Sequence, residues 1–172
     1  MKQMIAAAAV ATLGLAAPAE AHELFGGLYV HDVDTPLSIA GIERGADVQV
    51  GWRGPRLGGT PLQPYVFGAL NTAGETSYAA AGISARFGER IYVRPGVGLA
   101  VHTGDTGNFE RPQRDRIAFG SRVLFQPELG IGAQLNPRLS LEASWVHLSH
   151  GQLFGGQNPG IDNFGLRLNV RL

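Results

Sequence analysis

Strict alternation of apolar and polar residues near the end of the chain is the feature that most constrains its fold. Residues 163–172 read NFGLRLNVRL, so every second residue is a large apolar side chain, and asparagine, glycine or arginine lies between them. Successive side chains of a β-strand point to opposite faces, so the segment predicts a strand with one apolar and one polar face. Such a strand separates two very different media.

The same period of two recurs along the chain and predicts about eight strands. They cover residues 23–32, 45–53, 62–70, 76–87, 90–103, 117–135, 139–149 and 161–172. Several of them reach the ~9 to 11 residues that a tilted strand needs to cross a bilayer. Because an open sheet edge cannot exist in lipid, the sheet has to close. The pattern therefore predicts an all-β protein, an eight-stranded antiparallel transmembrane β-barrel of the outer membrane.

A soluble sandwich or a lipocalin-like barrel would show the same alternation with its apolar face turned inward. The composition of the other face favours the membrane protein. In the segment 90–103 that face carries Arg94, Gly96, Gly98 and His102. Arginine alternating with glycine suits a narrow polar lumen better than a protein surface.

Residues 1–21 predict a secretory signal peptide that is cleaved before His22. They combine a lysine near the start, a short Ala/Val/Leu run and small residues at Ala19 and Ala21. The absence of cysteine excludes a lipoprotein anchor and a disulfide framework. About 150 residues remain, so we expect one barrel domain over 22–172. With Lys+Arg 14 against Asp+Glu 14, no basic field indicates a nucleic-acid partner.

The lengths of the connections predict the orientation. If both termini are periplasmic, the long connections near 33–44, 104–116 and 150–160 are extracellular, as in other barrels of this class. The seventh strand then runs outward. Its last residues, SWVHLSHG, should lie at the outer leaflet of the membrane.

Three reactive side chains break the apolar pattern at this end of the last two strands. His147 and Ser149 are in step with Leu139, Leu141 and Trp145, and Asp162 is in step with the apolar face of strand eight. Because these strands form a hairpin, the three side chains should meet on the outer wall. Serine, histidine and a carboxylate are the parts of a nucleophilic triad, in which serine attacks, histidine takes its proton and the acid orients the ring.

His147, Ser149 and Asp162 also allow other interpretations, as incidental rim residues or as part of a metal site. Polar residues at a barrel rim are ordinary, so each of the three alone needs no function. A metal site on His147 and His150 is disfavoured, because residues three apart on a strand face opposite ways. The chain has no G-x-S-x-G elbow, which excludes an α/β-hydrolase.

The stretch HLSHG followed by QNPGIDNFGLRL resembles the C-terminal signature of the lipid A 3-O-deacylases, outer-membrane barrels that hydrolyse the acyl ester at the 3 position of lipid A. The resemblance implies that His147 is the general base, Ser149 the nucleophile and Asp162 the acid, at a position where the family usually has glutamate. It also implies that Asn158 and a backbone N–H near Gly151 stabilise the oxyanion. The specific motif covers only about the last thirty residues of the chain.

A nucleophile on the outer wall serves a lipid beside the barrel, so the expected substrate is lipopolysaccharide of the outer leaflet. Its phosphates would suit Arg111, Arg114 and Arg116 of the loop FERPQRDR, although a solvated loop of mixed charge is the simpler explanation of these arginines. Acyl transfer from serine needs no metal or organic cofactor. A reactive outer wall is also compatible with a homodimer that covers it.

Two alternative functions remain open at the level of sequence. The first is a non-enzymatic small barrel, an adhesin or structural protein with incidental rim residues. The second is an acyltransferase, for which no separate acceptor motif is visible.

Overall fold

Eight antiparallel strands form one closed barrel. The computed structural model describes residues 22–38, 41–108, 116–153 and 158–172, so the predicted signal peptide lies outside the described residues. Each strand pairs with its neighbours in sequence, and β1 closes the barrel against β8, which confirms the predicted fold class. No helix in these ranges is long and apolar enough to span a membrane. The strands are β1 (Glu23–Val30), β2 (Ala46–Arg53), β3 (Leu62–Asn71), β4 (Tyr78–Ala85), β5 (Ile91–His102), β6 (Val123–Asn136), β7 (Leu139–Leu148) and β8 (Ile161–Arg171).

The apolar face of the strands points outward and the polar face points into the lumen. On β8, Leu166 is 57% exposed, whereas the neighbouring Arg167 is fully buried inside the barrel. Leu28 and Val50 repeat the outward exposure on β1 and β2, at 65% each. A soluble barrel would have the opposite arrangement, so the alternative of a lipocalin-like fold is contradicted. The outer wall is suited to lipid.

A network of ion pairs fills the lumen. Arg167 lies 3.2 Å from a carboxylate oxygen of Glu128 and 3.3 Å from one of Glu142, and Arg94 lies 2.7 Å from Glu23. Buried charges are tolerated when they are paired and hydrogen-bonded, as these are. The network contains three cations, Arg53, Arg94 and Arg167, and three anions, Glu23, Glu128 and Glu142.

The longer connections lie at one end of the barrel, which we call the loop end. It carries the connections 31–45, 72–77, 103–122 and 149–160, whereas the opposite end carries 54–61, 86–90 and 137–138. Apart from 72–77, the connections at the loop end are the longer ones. The long connections thus share one end, as predicted, and the extracellular position of this end stays a prediction.

The predicted start of the sixth strand is wrong. The alternation led us to expect a strand from residue 117, but β6 begins at Val123. Ile117 and Phe119 are instead fully buried across the mouth of the lumen, where the Phe119 ring packs 4.5 Å from that of His102. The physical reason is that these apolar side chains are buried at the mouth of the lumen. Their alternation therefore comes from a segment that covers the lumen and not from a strand.

Candidate active site at the loop end of strands β7 and β8

The register of the last hairpin brings the predicted cluster together. In the antiparallel pairing of β7 with β8, His147 lies directly opposite Asp162. Side chains of directly opposed residues stand on the same face of the sheet. Ser149 follows His147 by two residues and therefore shares that face. A backbone bridge to Phe125 of β6 extends the pairing as far as Ser149.

The three side chains form a continuous chain of hydrogen bonds, which we call the outer-wall cluster (His147, Ser149 and Asp162). Nδ1 of His147 is 2.9 Å from Oδ1 of Asp162, and Nε2 is 2.9 Å from Oγ of Ser149. An ionised carboxylate only accepts hydrogen bonds, so Nδ1 carries a proton, and in the neutral ring Nε2 accepts from the serine hydroxyl. The histidine is thus in the tautomer that can take the serine proton.

The cluster faces outward but is almost completely covered. Asp162 has no exposed surface, and His147 and Ser149 are each 7% exposed. Two neighbours cover the carboxylate. The indole N–H of Trp145 donates to Oδ1 of Asp162 at 2.6 Å, and the hydroxyl of Thr35 donates to Oδ2. Asp162 is therefore a fully hydrogen-bonded buried carboxylate, and the polar groups of the cluster are satisfied without water.

Gly160 leaves the space that the imidazole occupies. A Cβ atom at this position would lie 2.8 Å from the carbonyl oxygen of Leu148 and 3.1 Å from both Cε1 of His147 and Cβ of Ser149. A side chain here would thus be in contact with the cluster from the β8 side. The glycine lets the chain approach β7 closely just before β8 begins at Ile161.

A second buried polar cluster lies at the mouth of the lumen. Both ring nitrogens of His31 are engaged, Nδ1 at 3.0 Å from the carboxylate of Asp47 and Nε2 at 3.0 Å from that of Glu43. Burial alone would lower the pKa of His31, but the hydrogen bonds and charges of Asp47 and Glu43 outweigh it and raise this pKa to about 9. Burial opposes ionisation of Glu43 as well, yet donors from His31 and Thr76 hold its pKa below the ordinary value.

Among the described residues, no hydrogen bond joins Asn158 or Gly151, the residues assigned to the oxyanion, to Ser149. Asn158 is half-buried, and its Oδ1 has no hydrogen-bond partner in the described part of the chain. Gly151 is exposed and adopts a left-handed backbone conformation with φ +61°. It begins the turn that leads away from β7. Their roles in stabilising an oxyanion stay a prediction.

Of the three loop arginines, only Arg116 is described, and Arg111 and Arg114 lie outside the described residues. Arg116 is exposed and lines a small cavity with Glu75, Thr76 and Asp105. This cavity is lined by the connections after β1, β3 and β5, whereas the outer-wall cluster lies at the ends of β7 and β8. The neighbours of Arg116 in this cavity thus include the acidic residues Glu75 and Asp105.

Three contributors to the site could not be found from the sequence. Thr35 and Gly160 lie in connections, where the period of two gives no information. Trp145 could be placed on the outward face, but the hydrogen bond from its indole to Asp162 could not be predicted.

Among the described residues, no group of three or more His, Cys, Asp or Glu side chains is arranged to hold a metal ion. His150 is buried beside Gly120, away from the outward face of the cluster.

Comparison with protein families gives one match that spans most of the chain. A family model described as "Lipid A 3-O-deacylase (PagL)" matches residues 45–171, which includes all three residues of the outer-wall cluster. A comparison with curated proteins finds no match.

Solved structures with the same architecture are distant in sequence. The crystal structure of the outer membrane enzyme PagL shares 18% identity, with 90% of this chain and 100% of that chain covered at a TM-score of 0.54. Neisserial surface protein A shares 12% identity, with 88% and 97% covered and a TM-score of 0.55. Ail of Yersinia pestis, in a phospholipid bilayer nanodisc, shares 11% identity, with 89% and 99% covered and a TM-score of 0.52. At these identities the likeness shows the fold alone.

Proposed function

Because this chain belongs to the lipid A 3-O-deacylase (PagL) family of outer-membrane β-barrels, we propose that it is a serine hydrolase that removes the ester-linked acyl chain at the 3 position of lipid A. The observation that carries the proposal is the hydrogen-bonded outer-wall cluster. Hydroxyl, imidazole and carboxylate are joined at 2.9 Å on each side of the ring, on the lipid-facing side of the barrel.

The geometry supports acyl transfer through a covalent serine intermediate. Oγ of Ser149 attacks the ester carbonyl carbon while Nε2 of His147 takes the hydroxyl proton. The tetrahedral intermediate collapses, and His147 gives the proton to the departing oxygen at the 3 position of the sugar. Water, deprotonated by the same nitrogen, then attacks the acyl-serine and releases the fatty acid, and the proton returns to Ser149. Asp162 stabilises the imidazolium in both halves of the reaction.

The position of the cluster supports a lipid substrate. The outer wall below it is apolar, with Leu166 and Phe164 of β8 exposed, so acyl chains beside the barrel lie in a favourable environment. If the loop end is extracellular, the serine stands at the level where the sugar of lipid A meets its acyl chains. Asn158 and the backbone near Gly151 remain the proposed oxyanion donors.

Mass spectrometry of lipid A tests the proposal. Cells that express the wild type are compared with cells that express Ser149→Ala, and Ser144→Ala is the matched control because it removes a lumen-facing hydroxyl from the same strand. We expect the mass of one hydroxyacyl chain to be lost from lipid A with the wild type and with Ser144→Ala, but not with Ser149→Ala. Heat-shifted gel mobility verifies that all three barrels fold.

Purified protein incubated with lipid A in detergent separates latency from inactivity. Release of a free fatty acid in detergent, without change in cells, would mean that the enzyme is held latent in the membrane. Lipid A that stays intact with folded protein in both settings would contradict the proposal and favour a non-enzymatic barrel. Recovery of the acyl chain on a second lipid instead of as free acid would identify an acyltransferase.

A further inference from the structure

The connection after β1 lies across the beginning of β8. Three successive contacts hold it there. The amide of Asp32 donates to Oδ1 of Asn163 at 3.1 Å, and the amide of Val33 donates to the carbonyl of Asp162 at 2.7 Å. The hydroxyl of Thr35 then donates to the side chain of Asp162. The first connection of the chain is thus docked, through backbone and side chain, on the acid of the outer-wall cluster.

The Thr35 hydroxyl is oriented by its own loop. The amide of Leu37 donates to Oγ1 of Thr35 at 3.1 Å, which occupies an acceptor position of that oxygen. The single hydroxyl proton is then directed to Oδ2 of Asp162. This local turn, in which a threonine accepts from the amide two residues ahead, fixes the donor before the substrate arrives.

The two oxygens of Asp162 have different partners. Oδ1 accepts from Nδ1 of His147 and from Nε1 of Trp145, and Oδ2 accepts from Thr35. The terminal torsion of an aspartate is soft, so its carboxylate plane is set by its partners rather than by a rotamer well. Thr35 and Trp145 hold this plane from opposite oxygens, and His147 takes its ring orientation from it.

The loop that carries Thr35 is itself anchored. Oδ2 of Asp32 accepts from the amides of Ile42 and Glu43, both at 3.0 Å. Glu43 in turn accepts from the amide and the hydroxyl of Thr76, at 3.1 and 2.9 Å, in the connection between β3 and β4. Thr35 is therefore part of a hydrogen-bonded framework that reaches across the loop end. This framework holds Thr35 beside Asp162, although the two residues are 127 positions apart in the sequence.

We propose that Thr35 is a positioning residue of the deacylation reaction, which acts through Asp162 by fixing the carboxylate that orients His147, with Trp145 as its counterpart on the other oxygen. The inference rests on the proposed function. The single proton of the Thr35 hydroxyl is donated to Asp162 and not to Ser149, so its effect appears in the rate of the chemical step and not in the binding of the lipid.

Steady-state kinetics of the purified barrel on lipid A in detergent micelles test this role. Thr35→Val keeps the shape of the side chain and removes the donor, and we expect kcat to fall roughly ten- to a hundredfold with KM unchanged, because the imidazole is misplaced by a fraction of an ångström. Thr35→Ser restores the hydroxyl and should recover most of kcat. Trp145→Phe, which keeps a ring but loses the N–H, should lower kcat as well.

Thr60→Val is the matched control. This threonine lies in the connection at the opposite end, where its hydroxyl donates to Leu57 and accepts from Leu62 within its own turn. The substitution makes the same chemical change far from the cluster, so kcat and KM should equal those of the wild type.

A double-mutant cycle separates positioning from a general effect on folding. If Thr35 acts through Asp162, then Thr35→Val should cost nothing further in the background of Asp162→Ala. An equal loss in both backgrounds would overturn the inference, as would full activity of Thr35→Val beside an inactive Ser149→Ala. A wild type that hydrolyses no lipid A under any condition would instead overturn the proposed function and this inference with it.

Discussion

The stability of the barrel should depend on the balance of charge in its lumen, and Arg167 is the residue that tests this. Its guanidinium is fully buried and donates to Gln49 at 2.7 and 3.0 Å, to Glu128 at 3.2 Å and to Glu142 at 3.3 Å. We consider Arg167→Met, which keeps the aliphatic stem and removes every one of these donors.

The cost follows from the partners that are left behind. Two hydrogen bonds to carboxylates, each worth about 1.5–3 kcal/mol, are lost. Glu142 keeps Arg94 at 3.4 Å, whereas the remaining cation beside Glu128 in the described part of the chain is the more distant Arg53, at 3.9 Å. Glu128 also keeps a hydrogen bond from the amide of Gln126 at 3.5 Å. Removing one partner of a buried ion pair typically costs about 3–5 kcal/mol. We expect a loss in the free energy of unfolding near the lower end of this range, since Glu142 remains paired.

The effect of a second substitution, Glu128→Gln, on the free energy of unfolding should differ in sign between the wild type and Arg167→Met. Glu128→Gln in the wild type removes one of the two carboxylates that neutralise Arg167 and should lower the free energy of unfolding. In the Arg167→Met background the same change removes a stranded negative charge, so it should raise that free energy. The amide of glutamine needs no counter-charge and still accepts hydrogen bonds.

Equilibrium unfolding by urea in phospholipid vesicles, followed by tryptophan fluorescence and gel mobility, measures all four variants of the cycle. Our reasoning is refuted if Arg167→Met lowers the free energy of unfolding by less than about 1 kcal/mol, a value typical of an ordinary neutral hydrogen bond. It is also refuted if Glu128→Gln destabilises both backgrounds by the same amount, because the two charges would then be uncoupled.

Two further predictions concern the loop end. Gly160→Ala should lower kcat by up to about a hundredfold, because the added methyl group displaces the imidazole. Gly68→Ala is the control and should not change kcat, since its added Cβ would meet nothing within 4 Å. Equal activity of the two purified variants would contradict the contact between residue 160 and His147. The pKa of His31 rises from 6.5 to about 9 on folding, so its contribution to stability is complete below pH 6.5 and is lost as the pH rises through about 9. The lowered pKa of Glu43 adds stability that is present above its unfolded value of 4.5 and is lost as the pH falls through the folded one. Thermal unfolding should therefore show the highest midpoint between about pH 4.5 and 6.5, and in His31→Phe the decline towards pH 9 should be absent; an unchanged decline would assign it to another group.

The strands and the facing of their residues could be predicted because the bilayer imposes a period of two on every spanning segment. The observed bounds of β7, Leu139–Leu148, and of β8, Ile161–Arg171, differ from the predicted ones by one residue. The same period predicted that His147 and Asp162 share the outward face. Their direct opposition depends in addition on the register of the hairpin, which the period of two does not fix by itself.

The connections could not be predicted because no such period governs them. The sequence places Thr35 in a loop of mixed polar and apolar residues, and nothing in that stretch indicates a partner 127 residues away. The alternation at Ile117 and Phe119 predicts a strand that the structure does not form there, because burial over the lumen mouth also favours apolar residues. Both cases depend on contacts between connections, which form only once the barrel has closed.

Burial explains how a polar cluster is tolerated on the face of the barrel that meets lipid. An unsatisfied polar group in hydrocarbon costs several kcal/mol, which would select against His147, Ser149 and Asp162 if they stood alone. Here each donor meets an acceptor within the protein, and the carboxylate, which has no exposed surface, takes a further donor from Trp145 and from Thr35. The connection after β1 is therefore as much a part of the cluster as the two strands that carry it.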